Sequence, residues 1–96
     1  MLQQITVQTP NAKRLKSLLK SVIANELYDV EQGIEKTRAK LEAFEKQYKM
    51  STVEFKRRFT PDDLGETLDF IEWMGEIKTL HRLEEKRNTL KEAKIA

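Results

Sequence analysis

Cysteine is absent from this chain of 96 residues. Disulfide bonds and metal sites built on thiolates are therefore excluded. Glycine and proline number three and two, which is too few for a loop-rich or β-rich fold. Aromatic residues make up 7% of the chain and charged residues 35%. This composition is typical of long helices and coiled coils.

Long apolar runs are also missing. No stretch approaches the roughly 20 apolar residues that a transmembrane helix requires. Residues 1–10 lack the basic, apolar and small-residue order of a signal peptide. We therefore expect a cytoplasmic protein with no membrane partner. The length fits one domain over residues 1–96.

Patterns that would indicate catalysis or metal binding are missing as well. His81 is the only histidine, and no glycine-rich phosphate loop, zinc-protease motif or nucleophile elbow is present. Asp69, Glu72 and Glu76 share one face of a predicted helix, but the histidines of a dimetal carboxylate site are absent. An acidic stripe near a helix N-terminus explains them as well. We expect no enzyme activity, no catalytic residue, no metal or other cofactor and no small-molecule substrate.

Local signals divide the chain into an arm and three helices. Apolar and polar side chains alternate weakly along residues 1–9, and some of them are β-branched, which favours an extended arm. Thr9-Pro10 has the chemistry of a helix start, and no strong breaker follows before about Lys49. Ser51 and Glu54 have the spacing of a capping box. The predicted helices cover residues 10–49, 52–58 and 67–94.

The first long helix carries a heptad pattern. Its apolar residues alternate spacings of four and three, and Thr37 is the one polar member. The apolar members are Ile23, Leu27, Val30, Ile34, Leu41, Phe44 and Tyr48. Such a seam is typical of coiled-coil packing. Upstream, Leu15, Leu19 and Ile23 step by four, so the seam drifts there and can meet a different neighbour. Gly33, beside the seam, either admits a second backbone or is a tolerated accident.

These signals predict an all-α fold: a long antiparallel helical hairpin with a short helical connector and coiled-coil-like packing. The apolar face of the second long helix is wider than one helix can cover. We therefore expect a homo-oligomeric helical bundle, a protein partner, or both. Trp73, the only tryptophan, fits either the core of such a bundle or an anchor in a partner interface.

Positive charge collects near the two ends of the chain, although the whole chain carries only +2. Residues 11–20 hold four bases and no acid, and residues 82–94 hold five bases and three acids. The candidate contact residues are Lys13, Arg14, Lys16, Lys20, Arg82, Lys86, Arg87 and Lys91. In an antiparallel hairpin we expect both segments side by side, as a basic end for phosphates or an acidic partner. No aromatic residue is available there for base stacking, so nucleic-acid binding is not favoured.

Residues 48–73 carry a combination of side chains that resembles a known group of proteins. These side chains are Tyr48, Lys49, Met50, Ser51, Phe55, Arg58, Phe59, Leu64, Gly65, Asp69, Glu72 and Trp73. They resemble small helical proteins of bacteria and archaea, similar to the antitoxin-type partners encoded beside small RNase-like toxins. The resemblance implies a non-catalytic subunit that wraps and masks a toxin. Its basic end would touch operator DNA, and its acidic body or its extended arm would cover a basic RNase surface.

Three functions follow from these observations. The favoured one is a helical protein-interaction module that neutralises a toxin. The second is a structural homo-oligomer with no cognate toxin. The third is a nucleic-acid accessory protein that uses the basic end.

Overall fold

The computed structural model describes residues 3–93, which form a helical hairpin. Within that range the chain has three α-helices, Ala12–Tyr48 (α1), Thr52–Arg58 (α2) and Leu68–Glu92 (α3), and no β-strand. α1 packs along α3, and the molecule measures 61 × 25 × 18 Å. The predicted all-helical hairpin is confirmed. The expected helix end at Lys94 and the first two residues of the arm lie outside the described residues.

Short polar side chains fix where α2 and α3 begin. Ser51 Oγ accepts a hydrogen bond from the Glu54 N–H at 3.1 Å, and Thr67 Oγ1 accepts one from the Phe70 N–H at 3.1 Å. Each bond satisfies an N–H group that the first turn of a helix leaves free. The Glu54 carboxylate pairs with Arg57. Among the described residues only the Ser51 half of the expected capping box forms.

The start of α1 lies slightly later than its sequence signal. We expected the helix from Pro10, whereas it begins at Ala12. Thr9 Oγ1 accepts the Asn11 N–H at 3.2 Å in a local turn, and Asn11 makes no side-chain cap. The hydroxyl of Thr9 therefore stabilises the turn that leads into the helix.

The end of α1 is tied directly to the start of α2. Lys49 ends α1 with a positive φ of 52°, a conformation that glycine usually takes. The N–H groups of Lys49 and Met50 both donate to the carbonyl of Glu45. The carboxylate of Glu45 accepts the Thr52 N–H at 2.6 Å. Glu45 thus uses its backbone to end one helix and its side chain to begin the next.

Most aromatic residues gather where the two long helices and the connector meet, which we call the closed end. Six of the seven aromatic residues take part, while Tyr28 is 64% exposed. The six are Phe44, Tyr48, Phe55, Phe59, Phe70 and Trp73. The closed end therefore holds the hydrophobic core of the molecule.

Trp73 and Phe55 form the centre of this core. Both are 0% exposed, and their rings stack 4.0 Å apart with planes 1° apart. Phe44 and Tyr48 of α1 stack on the same tryptophan, at ring-centroid distances of 5.4 and 6.0 Å. The indole N–H donates to Thr52 Oγ1 at 3.2 Å, which satisfies the one polar group that the tryptophan buries.

Away from the closed end, α1 and α3 meet along the middle of the heptad seam. Val30, Ile34, Thr37 and Leu41 are its buried members. The Thr37 hydroxyl donates to the Gly33 carbonyl at 2.8 Å, so a polar residue is accommodated without an unsatisfied group. A Cβ added at Gly33 would lie 3.3 Å from Leu83 Cδ1. What approaches this glycine is thus a side chain of α3, not a second backbone.

Replacing Trp73 with alanine should lower the free energy of unfolding by about 3–5 kcal/mol, because it removes the centre of the core and leaves a cavity. Ile71→Ala is a matched control in the same helix, since Ile71 is 50% exposed. Its cost should stay near or below about 1 kcal/mol. Urea denaturation followed by circular dichroism measures both variants. Equal losses would contradict the central role of the tryptophan.

The two helical glycines should respond differently to alanine. A Cβ at Gly75 would meet nothing within 4 Å, so Gly75→Ala should stabilise the protein by about 0.5–1 kcal/mol through helix propensity. Gly33→Ala has the same propensity advantage, but its methyl group presses on Leu83, so the gain should be smaller. Thermal and urea unfolding of both variants give the comparison. An equal gain at Gly33 would mean that Leu83 does not hold this contact.

Candidate protein-interaction surface

α1 is longer than α3, at 37 residues against 25, and the excess lies at one end. At the closed end the Tyr48 hydroxyl donates to the Asp69 carboxylate. Near the other end of α3, Lys86 and Lys91 pair with glutamates of α1 at 2.5 and 3.6 Å. This register leaves residues 12–24 of α1 beyond the end of α3, over a length of about 20 Å. We call this segment the overhang.

One side of the overhang is apolar. Large aliphatic residues recur there at spacings of three and four, which places them on one face of the helix. This apolar stripe consists of Leu15, Leu18, Leu19, Val22 and Ile23. Leu18, Leu19 and Val22 are 55%, 37% and 60% exposed. Adjacent large apolar side chains that face solvent mark a surface which another molecule can cover.

The N-terminal arm lies beside the stripe. Residues 3–9 are extended and, with side chains of the overhang and Ala93 at the end of α3, line a groove of about 640 Å³. Leu15, Leu19 and Ile23 contribute the apolar wall of this groove. Ile5 and Val7 of the arm are themselves 92% and 60% exposed. The arm therefore covers only one edge of the stripe and adds apolar surface of its own.

Four basic residues surround the stripe. Lys13, Arg14, Lys16 and Lys20 are all exposed, and none forms an ion pair within residues 3–93. At helical periodicity the three lysines follow one border of the stripe and Arg14 follows the other. The overhang contains no acidic residue. It is thus a basic amphipathic helix.

The basic residues of α3 do not join this group. Lys86 and Lys91 are paired with α1, and Arg87 lies 3.9 Å from Glu84, while Arg82 is exposed. The prediction that the two basic segments lie side by side was wrong. Because α3 ends before it reaches residues 11–20, its bases face the acidic middle of α1 and are largely neutralised there.

Except for Ile23, which belongs to the overhang, the residues predicted for helix packing lie between helices of one chain. Val30, Ile34, Leu41 and Trp73 are buried. The other predicted members of the seam are half-buried, namely Ile23, Leu27, Phe44 and Tyr48. α3 and the closed end cover the seam from residue 30 onward. Upstream, where the seam drifts, the apolar residues of the overhang are left for another molecule.

The acidic residues of α3 act mainly as acceptors for α1. Asp69 accepts from the Tyr48 hydroxyl, and Glu76 pairs with Lys40 at 3.4 Å, whereas Glu72 is exposed. Within residues 3–93 no three histidine, cysteine or acidic side chains are grouped to hold a metal ion. These carboxylates therefore stabilise the hairpin register.

Leu18 and Val22 were not predicted from the sequence. Their signal was present, because residues 15, 18, 19 and 22 follow helical spacing. The steps of four, however, indicated only Leu15, Leu19 and Ile23. The position of the arm beside the stripe was not predicted either. No sequence rule connects an extended segment to a particular helix face.

Known proteins give no assignment for this surface. No protein-family model matches the chain, and neither do curated proteins or solved structures. Among residues 3–93, no helix combines the length and apolar character that crossing a bilayer requires. The function is therefore argued from the overhang itself.

The contact between Tyr48 and Asp69 should be visible in a titration. The Asp69 carboxylate accepts the hydrogen bond of the Tyr48 phenol, and this raises the pKa of Tyr48 above its usual value of 10.0. Burial of the phenol and the negative charge of Asp69 raise this pKa further. A raised pKa means that the fold favours the protonated phenol. This contribution to stability is complete below about pH 10 and is lost as the pH rises through the higher folded pKa.

In a Tyr28→Phe background, tyrosinate absorbance reports Tyr48 alone, because the chain has two tyrosines. Its midpoint should lie above 10.0 and should fall when Asp69→Ala removes the acceptor. Glu72→Ala, which removes an exposed carboxylate nearby, is the control and should leave the midpoint unchanged. A midpoint insensitive to Asp69→Ala would show that this hydrogen bond is not formed in solution.

Proposed function

We propose that this chain is a non-catalytic helical protein-interaction module that binds its partner through the overhang. The observation that carries the proposal is the exposure of Leu18 and Val22, at 55% and 60%, on a helix that has passed the end of α3. Covering the exposed half of an aliphatic side chain of this size contributes about 1–2 kcal/mol. The exposed side chains of the stripe together can therefore supply much of the energy of a specific complex.

The shape of the molecule supports this role. The aromatic core and the seam hold α1 straight from the closed end, so the overhang is presented as a preformed helix. A partner that binds a preformed helix avoids most of the cost of ordering it. We infer coiled-coil-like packing of α1 on α3 from the alternating buried positions Val30, Ile34, Thr37 and Leu41. In the overhang the apolar residues step by four from Ile23 through Leu19 to Leu15, so the stripe drifts away from the seam, where a partner helix can pack on it.

The resemblance to antitoxin-type proteins suggests an RNase-like toxin as this partner. Most residues that carry the resemblance belong to the closed end. Trp73, Phe55 and Phe70 form its core, and Ser51 begins α2. The resemblance thus concerns the scaffold, and the proposed partner surface lies outside it. The four exposed bases of the overhang fit an acidic or mixed surface on such a partner.

Nucleic-acid binding has weaker support. Of the eight candidate bases, five form no ion pair within residues 3–93, namely Lys13, Arg14, Lys16, Lys20 and Arg82. The overhang contains no aromatic residue for base stacking. A structural homo-oligomer would use the same apolar stripe as a toxin-binding module. The identity of the protein partner is therefore what an experiment must decide.

Co-expression with the product of the adjacent gene tests the proposal. Leu18→Asp with Val22→Asp should weaken the complex by about a hundredfold or more, because each position would lose about 1–2 kcal/mol of apolar burial and would place a charge in the interface. Isothermal titration or pull-down at graded concentrations measures the loss. Circular dichroism of the free variant should be unchanged, since both side chains already face solvent.

Ser17→Asp with Ser21→Asp is the matched control. It adds the same charge to exposed positions on the opposite side of the same turns. This control should bind like the unchanged chain. If the two double variants bind the adjacent gene product equally well, the overhang is not the partner-binding surface.

A further inference from the structure

The N-terminal arm carries backbone groups that have no partner. Residues 3–9 are extended, and residues 3–8 are all exposed. Within residues 3–93, no N–H or carbonyl group of the arm forms a hydrogen bond with another backbone group. That part of the chain contains no β-strand either, so it offers the arm no strand with which to pair. The arm is therefore a single extended segment whose hydrogen-bonding groups face solvent.

The side chains of the arm are those of a strand. Ile5, Thr6 and Val7 are β-branched, and such residues favour extended backbone. Successive side chains of an extended segment point to opposite sides. Ile5 and Val7 therefore share one side, while Thr6 and the glutamines at positions 4 and 8 share the other. One apolar and one polar side is the pattern of a strand in a sheet that has one covered face.

Pro10 keeps the arm out of α1. Proline has no N–H, and its ring clashes with the backbone of the preceding turn of a helix. It also disfavours helical backbone at the residue before it, Thr9. The Asn11 N–H donates to Thr9 Oγ1 at 3.2 Å, which holds the turn between arm and helix. The arm consequently runs beside the overhang, and side chains of both line the groove of about 640 Å³.

The unpaired backbone of the arm indicates what can bind it. A free strand is bound most completely by the edge of a β-sheet, which presents a matching row of N–H and carbonyl groups. Two arms from two copies of the chain would form only a two-stranded ribbon, which is marginally stable in water. The sheet of a folded partner already exists before binding, so the arm has only to add one strand to it.

We propose that the arm adds a strand to the edge of a β-sheet in the partner, while the apolar stripe packs on apolar surface beside that edge. Ile5 and Val7 then join the stripe in contacting the partner. A strand of residues 3–9 spans about 20 Å, which matches the length of the overhang. The inference rests on the proposed function, because it specifies which surface of the partner meets the arm and the overhang.

A proline scan of the arm tests strand addition. The N–H groups of successive strand residues point to opposite edges, and only one edge of the arm meets the partner. Proline should therefore weaken binding of the adjacent gene product by about tenfold at every second position, because a hydrogen bond is lost there. Isothermal titration measures the effect. The variants are Gln4→Pro, Ile5→Pro, Thr6→Pro, Val7→Pro and Gln8→Pro.

Alanine at the same five positions is the matched control, because it removes the side chain and keeps the N–H. At the positions between the sensitive ones, proline should cost no more than alanine. The variants should keep the helicity of the unchanged chain by circular dichroism, since the arm lies outside the three helices. A scan in which proline and alanine have equal effects at all five positions overturns the inference.

Amide hydrogen exchange followed by NMR tests the same point without substitution. In the free chain the amides of residues 4–8 should exchange rapidly, because they are exposed and unpaired. In the complex with the adjacent gene product, every second amide should become protected. Protection of consecutive amides would indicate a helix, and protection in the free chain would indicate pairing between copies. Either result, or no protection at all, contradicts strand addition.

These failures are distinguishable from failure of the proposed function. If Leu18→Asp with Val22→Asp abolishes binding but the proline scan has no effect, the overhang binds the partner and only strand addition is wrong. If that double variant binds as well as its serine control, the overhang is not the partner-binding surface, whatever the arm does. If the adjacent gene product does not bind the unchanged chain, both proposals fail together.

Discussion

The stacking of Phe55 on Trp73 is the contact on which the rest of the structure depends. Between them, α1 and α3 share one narrow apolar seam with a threonine at its centre. Such a seam does little to fix the register of the two helices. The connector helix α2 changes this by inserting Phe55 against the one tryptophan, with both rings fully buried. Because Phe44 and Tyr48 stack on the same indole, three helices are fixed around one side chain. A chain this small buries little surface elsewhere.

The overhang is a consequence of that fixed end. Once Trp73 and Tyr48 set the register, the lengths of 37 and 25 residues leave the excess of α1 at the far end. Ion pairs such as Lys86 with Glu26 then hold the end of α3 in place, although exposed pairs of this kind contribute little energy individually. The apolar stripe is therefore exposed because α3 is too short to reach it.

Much of this architecture could be predicted from the sequence, because its causes are local. Heptad spacing identified Val30, Ile34 and Leu41 as packing residues, and cap chemistry at Ser51 marked a helix start. The basic end was predicted wrongly because it depended on register, which is set by contacts between residues distant in sequence. Counting back from the ends of the chain placed residues 11–20 opposite 82–94, whereas the aromatic core places the end of α3 beside Glu26 and Glu31.

The residues that carry the resemblance and the proposed partner surface lie at opposite ends of this protein. Residues such as Phe55 and Trp73 are constrained by packing. A sequence pattern that contains them therefore indicates a closed end of this kind. Leu18 and Val22 face solvent, so they could change and leave the hairpin intact. A shared closed end therefore predicts a shared scaffold. Under the proposed function, the chemistry of the overhang decides which molecule that scaffold binds.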